Sequence, residues 1–113
     1  MRTITRCLAI SAVALSLALP PTAFGQDAPT VSVQEYLFDP AQAEILGGDM
    51  LTWNLDGAEQ HTITADDGSF DSGILNPADT FDFTFDVSGT YPYYCQIHGA
   101  PGGVGMAGMV LVD

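Results

Sequence analysis

The chain has 113 residues, of which 14 are Asp or Glu and only two are Lys or Arg, for a formal charge of −12. Both basic residues, Arg2 and Arg6, stand at the very start. The remainder offers no cationic side chain to a phosphate, which excludes nucleic acids and anionic membrane surfaces as partners.

The first 25 residues read as a secretory signal. Arg2 and Arg6 form its basic start, Cys7 to Leu19 is almost unbroken apolar sequence, and Ala23-Phe24-Gly25 supplies the small residues of a cleavage site. The apolar run is too short to span a bilayer comfortably, and no later segment approaches the roughly 20 apolar residues of a transmembrane helix. The expectation is an exported protein whose residues 26–113 form one small domain, with no membrane span. Cleavage after Gly25 leaves 88 residues and takes the formal charge from −12 to −14. Such acidity suits either high salt, where mobile cations screen self-repulsion, or the steering of a basic partner. Cys7 goes with the signal, so Cys95 is left alone and no internal disulfide is available. A domain this small gains from another source of stability, and a bound metal is one.

Along the mature chain, Thr30-Val31-Ser32-Val33 alternates polar and apolar, and with Tyr36, Leu37 and Phe38 it predicts a first strand, broken by Asp39-Pro40. Ala43 to Leu46 predicts a second strand, ended by the Gly47-Gly48-Asp49 turn. Leu51, Trp53 and Leu55 on one face and Thr52 and Asn54 on the other predict a third, half-buried strand with Trp53 in the core. A polar loop, Asp56 to Gln60, leads into His61-Thr62-Ile63-Thr64, a further alternating strand with His61 at its edge. Phe70 to Leu75 is short and mixed, between turns at Asp66-Asp67-Gly68-Ser69 and Asn76-Pro77-Ala78-Asp79.

The clearest alternation follows, with Phe81, Phe83, Phe85 and Val87 on one face and Asp82, Thr84 and Asp86 on the other. Thr90 to Cys95 predicts a strand in which Tyr91, Tyr93 and Cys95 share a face and Pro92 marks an edge or an entry. Met109 to Val112 predicts the last. The sum is an all-β fold, an antiparallel Greek-key β-sandwich of about seven to eight strands. An immunoglobulin-type core is excluded, because the single mature cysteine lies after the tryptophan.

Chemistry concentrates between Tyr93 and Met106. Cys95 ends a strand and His98 comes three residues later, so one tight turn can aim a thiolate and an imidazole at one point. Met106 arrives as the chain re-enters the sandwich, and His61 is the only other histidine. Two nitrogens, one thiolate and a weak thioether are the ligand set of a type 1 copper site. Zinc competes, but structural zinc takes four good ligands and a thioether is a poor one. The carboxylates fall outside this cluster in sequence.

These residues resemble the cupredoxins of the plastocyanin, amicyanin and pseudoazurin type, the small blue copper proteins. The resemblance runs from Tyr36-Leu37-Phe38-Asp39-Pro40 and Gly48 to Asn54, through His61-Thr62-Ile63-Thr64, Phe70-Asp71-Ser72-Gly73 and Phe81 to Phe85. It ends on Tyr91-Pro92-Tyr93-Tyr94-Cys95-Gln96-Ile97-His98 and Met106-Ala107-Gly108-Met109-Val110. It implies one copper ion held by His61, Cys95 and His98, with Met106 as axial ligand and Met109 as its rival, while Met50 is strand packing.

It implies a monomeric one-electron carrier, not an enzyme. Its redox partners, basic ones among them, would dock transiently near His98 over a flat neutral patch, with Tyr94 on a second, acidic route. A periplasmic copper storage or delivery protein is the alternative reading of the same ligands. Two features depart from the family. Seven residues separate His98 from Met106, a longer spacing than plastocyanins, pseudoazurins or amicyanins have, so Gly99 to Gly105 is expected to bulge. Thr62 replaces an asparagine that ties the two ligand loops together, a tie its hydroxyl and backbone would make less fully.

Overall fold

The computed structural model describes residues 28–113; the expected signal segment and Cys7 lie outside the described residues. The first expected strand is in fact two. β1 (Thr30–Gln34) and β2 (Leu37–Asp39) pair antiparallel, with Val33 opposite Phe38 and Gln34 opposite Leu37. Tyr36 sits between them at φ 68°, a left-handed conformation that reverses the chain. Alternation alone did not reveal the reversal, because both arms carry the same inward-facing pattern.

The remaining strands are β3 (Gln42–Ile45), β4 (Met50–Leu55), β5 (Thr64–Ala65), β6 (Thr80–Thr84), β7 (Gly89–Ala100) and β8 (Val104–Val112). They form two four-stranded sheets, β2-β1-β4-β6 and β3-β8-β7-β5, packed as a sandwich. No helix occurs among the described residues. The antiparallel expectation needs correcting, since each sheet is mixed: β1 runs parallel to β4 and β3 runs parallel to β8. A period of two reports which face is buried and is silent about strand direction.

The core is aromatic and centres on Trp53, which is fully buried. Phe81, Phe70 and Tyr93 lie with ring centroids 5.6, 5.9 and 5.5 Å from it, and Phe38 packs 4.7 Å from Tyr93. Such pairs contribute about 0.5–1.5 kcal/mol each beyond the area they bury. The expected face of β6 holds only in part. Phe85 is buried and Phe81 and Phe83 pack against the core, but Val87 is 68% exposed. Pairing with β4 ends at Thr84 opposite Met50, and beyond it the Val87 carbonyl accepts the Tyr91 hydroxyl at 2.6 Å, so the chain has already left the sheet.

Two local features prepare the far end of the sandwich. Residues 61–65 are buried in succession, and only Thr64 and Ala65 belong to a strand. His61 is fixed instead by a reciprocal backbone pair with Leu75, at 3.2 and 2.8 Å. This corrects the expected strand over 61–64. β7 also runs past Cys95 to Ala100, with Gly99 opposite Gly105 and Ala100 opposite Val104. The expected bulge of Gly99 to Gly105 is therefore the tip of a β-hairpin that turns at residues 101–103.

Candidate metal centre

The β7–β8 ladder is continuous to Tyr94 opposite Ala107 and resumes at Gly99 opposite Gly105. Cys95, Gln96, Ile97 and His98 lie within that break, and the one β8 residue between Gly105 and Ala107 is Met106. The break frees the backbone of Cys95 to His98 from the ladder and lets both side chains turn toward one point. Met106 is 1% exposed. Met109 pairs with Pro92 and Gln42, further along the ladder, and Met50 is 46% exposed.

The structure brings His61, Cys95 and His98 together. Their ligating atoms lie within 4.8 Å of one another. Cys95 Sγ is 3.7 Å from His61 Nδ1 and 3.5 Å from His98 Nδ1, across 34 and 3 positions of sequence. Cys95 and His61 are fully buried, and the His98 side chain is 17% exposed. The two rings stand 4.9 Å apart between centroids, inclined at 56°. A soft sulfur and two imidazole nitrogens converging in a dry interior fit a transition metal of the copper or zinc type and no hard cation.

Thr62 ties the two ligand segments together through both its backbone and its hydroxyl. Its backbone N–H points at Cys95 Sγ at 3.4 Å, and its hydroxyl accepts the Gln96 N–H at 2.8 Å. That hydroxyl lies 2.9 Å from Thr64 Oγ1, which donates to Asp71 Oδ1 at 3.1 Å. With Gln96 donating, the protons run one way, through Thr62 and Thr64 to the Asp71 carboxylate. Ser72 Oγ accepts the Ile63 N–H at 2.9 Å, which holds the His61 segment from its other side.

Two carboxylates stand at the site after all. His61 Nε2 lies 3.5 Å from Glu35 Oε1, and His98 Nε2 lies 3.3 Å from Glu59 Oε1. Both face the outer nitrogens, away from the sulfur, so they do not compete as ligands. The Tyr36 ring meets His98 edge-on at 4.9 Å and its hydroxyl donates to Glu59 Oε2 at 3.0 Å. The hydrogen bond it donates to Glu59, together with that carboxylate's charge, raises the Tyr36 phenol above its ordinary value. Backbone N–H donors from Ala58 and Glu59 hold the Glu35 carboxyl below its ordinary value. The expected neutral patch beside His98 is thus bounded on one side by Tyr36 and Glu59. Sequence reading missed Glu35, Tyr36 and Glu59 because the β1–β2 turn and the loop after β4 meet only in the folded sandwich. The cue it had was their position at turns on either side of inward-facing strands.

No family model matches the chain. The chloroplastic plastocyanin of Tetradesmus obliquus is 32% identical over 88 residues, which cover 68% of this chain and 59% of that protein. The plastocyanin of Scenedesmus fuscus is 31% identical over 88 residues, covering 68% of this chain and 87% of that protein. This chain thus spans little more than half of the first relative and most of the second. Among solved structures, a purple cupredoxin from Nitrosopumilus maritimus superposes with a TM-score of 0.67 at 28% identity, over 75% of this chain and 99% of that one. The oxidised form of an amicyanin variant superposes with a TM-score of 0.66 at 23% identity, over 76% and 82% of the two chains, a likeness of fold.

Proposed function

This chain belongs to the plastocyanin family of cupredoxins, and on that premise we propose that it is a one-electron carrier with a mononuclear type 1 copper site. The convergence of Cys95 Sγ with two Nδ1 atoms is the observation that carries the reading. His61, Cys95 and His98 are the three strong ligands. Met106, buried opposite the break in the ladder, is the weak fourth. Copper bound there supplies a Cu(II)/Cu(I) couple.

The chain's own groups hold the donors still. Cys95 Sγ accepts from the Thr62 N–H, which spreads the thiolate's charge, and the buried surroundings keep water from it. His61 is clamped by Leu75 and Cys95 by Thr62, so contacts of the fold itself hold both donors. His61, Cys95, His98 and Met106 would hold the ion, a donor set that suits electron carriage, and the plastocyanin likeness supports a carrier over an enzyme.

His98 is the exposed ligand, so redox partners would dock transiently beside it. Beyond the two N-terminal arginines the chain has no Lys or Arg, and Glu59 stands at this edge, so basic partners fit it. The residues 1–25 pattern supports export by a signal peptide to the periplasm or an equivalent compartment, with residues 26–113 as the mature monomeric domain.

The test is a visible absorption spectrum of the purified protein with Cu(II). An intense thiolate-to-copper band is expected, lost in Cys95→Ser; its absence from the wild type would sink the reading. Slow self-exchange, with release of Cu(I) to an acceptor, would favour copper storage or delivery instead.

A further inference from the structure

We propose that Glu35 and Glu59 are positioning residues of this centre, a carboxylate pair that orients both histidine rings from behind and biases the couple toward Cu(II). The inference rests on the copper reading above. It starts from a symmetry of contact: each histidine presents Nδ1 to the Cys95 sulfur and Nε2 to a carboxylate oxygen. At His61 the contact with Glu35 is a hydrogen bond and at His98 the Glu59 carboxylate stands at ion-pair distance; a carboxylate so placed favours the proton on Nε2 and leaves Nδ1 with its lone pair free, the tautomer a metal needs.

The two carboxylates form one built unit. Glu35 Oε1 accepts the N–H of Ala58 at 2.8 Å and of Glu59 at 3.2 Å, so the first carboxylate fixes the backbone that carries the second. The loop is anchored to the end of β1, where the Val33 carbonyl accepts from Asp56 and Gly57 at 2.9 and 3.0 Å. Gly57 leaves the space Glu35 occupies, since a Cβ there would fall on Glu35 Oε1. Tyr36 closes the arrangement by donating to Glu59 while its ring braces His98.

Charge supplies the second argument. Among the described residues no Lys or Arg is present to balance Glu35 and Glu59. The positive charge available to them is that of an ion bound between the two rings. Two negative charges behind the ligands favour the more highly charged oxidation state.

The experiment measures reduction potentials of the copper-loaded full chain for Glu35→Gln, Glu59→Gln, Gly57→Ala and, as a control, Asp82→Asn at an exposed position of β6. Each Glu→Gln variant is expected to lower the ratio of Cu(II) to Cu(I) affinity about tenfold, a rise of ~59 mV for one electron. Gly57→Ala keeps both charges but displaces Glu35, and it should raise the potential in the same direction. In the Cu(I) form, NMR should show the His98 Nε2–H exchanging slowly with water in the wild type and faster in Glu59→Ala. A blue wild type whose Gln variants match Asp82→Asn, with unchanged Nε2–H exchange, overturns this inference alone. A wild type that forms no blue species overturns the copper reading with it.

Discussion

The hydroxyl of Thr62 accepts the backbone N–H of Gln96 at 2.8 Å across 34 positions of sequence, and by that contact the segment carrying His61 is fastened to the segment carrying Cys95 and His98. Removing the hydroxyl in Thr62→Val leaves a partly buried N–H without its acceptor and interrupts the run through Thr64 to Asp71. The expected loss is about 1–2 kcal/mol in denaturant unfolding, with Thr62→Ser close to wild type. Equal losses in both variants would mean that the hydroxyl bond contributes nothing.

Comparing two methionines tests the proposal that Met106 would be the weak fourth ligand. Met106→Leu is expected to keep the blue band and raise the reduction potential, because a thioether that favours Cu(II) is lost while packing changes by less than about 1.5 kcal/mol. Met109→Leu, at a residue paired with Pro92, should leave the potential and the electron paramagnetic resonance spectrum unchanged. The reverse pattern would transfer the role to Met109.

Gly99 is the tightest point of the hairpin next to the site. An alanine Cβ there would lie 2.6 Å from the Met106 carbonyl oxygen and 2.7 Å from that of Val104, both backbone atoms that cannot swing aside. Gly99→Ala is expected to cost about 1–3 kcal/mol and to weaken the blue band, since spreading the hairpin displaces Met106. Denaturation midpoint and absorbance, measured on one sample, check both.

Acid sensitivity has a local source at Asp67, whose carboxyl is held below its ordinary value of 3.8 by the Ser69 hydroxyl and N–H. A carboxyl depressed on folding contributes stability that is fully present above its unfolded value and is lost as pH falls through the folded one. The melting-temperature gap between wild type and Asp67→Ala should therefore be constant from pH 8 to about pH 5 and narrow below about pH 3.8. A gap that persists unchanged in acid would assign the effect to the turn's uncharged contacts.

Ionic strength should separate partner charges. Electron exchange with a cationic redox complex is expected to slow as salt rises, and exchange with an anionic one to quicken, because the described surface carries carboxylates and no Lys or Arg. Stopped-flow rates that ignore salt for both complexes would remove steering from the account.

Much of this protein was determined by its sequence alone. Alternation at Val31 and Val33, Leu51 to Leu55 and Phe81 to Phe85 marks inward faces, because burial against a second sheet demands a period of two. The rarity of His and Cys makes His61, Cys95 and His98 the candidate soft and borderline donors that the sequence offers. Only the tertiary structure decided the rest. Strand direction is invisible to alternation, so the parallel pairs of β1 with β4 and β3 with β8 had to be seen. The register that leaves Met106 facing the Cys95–His98 break is set by the β7–β8 ladder, which composition does not encode. Glu35 and Glu59 are ordinary surface acids until the β1–β2 turn and the loop after β4 close over the two histidines, because contacts between distant turns exist only once both sheets are assembled.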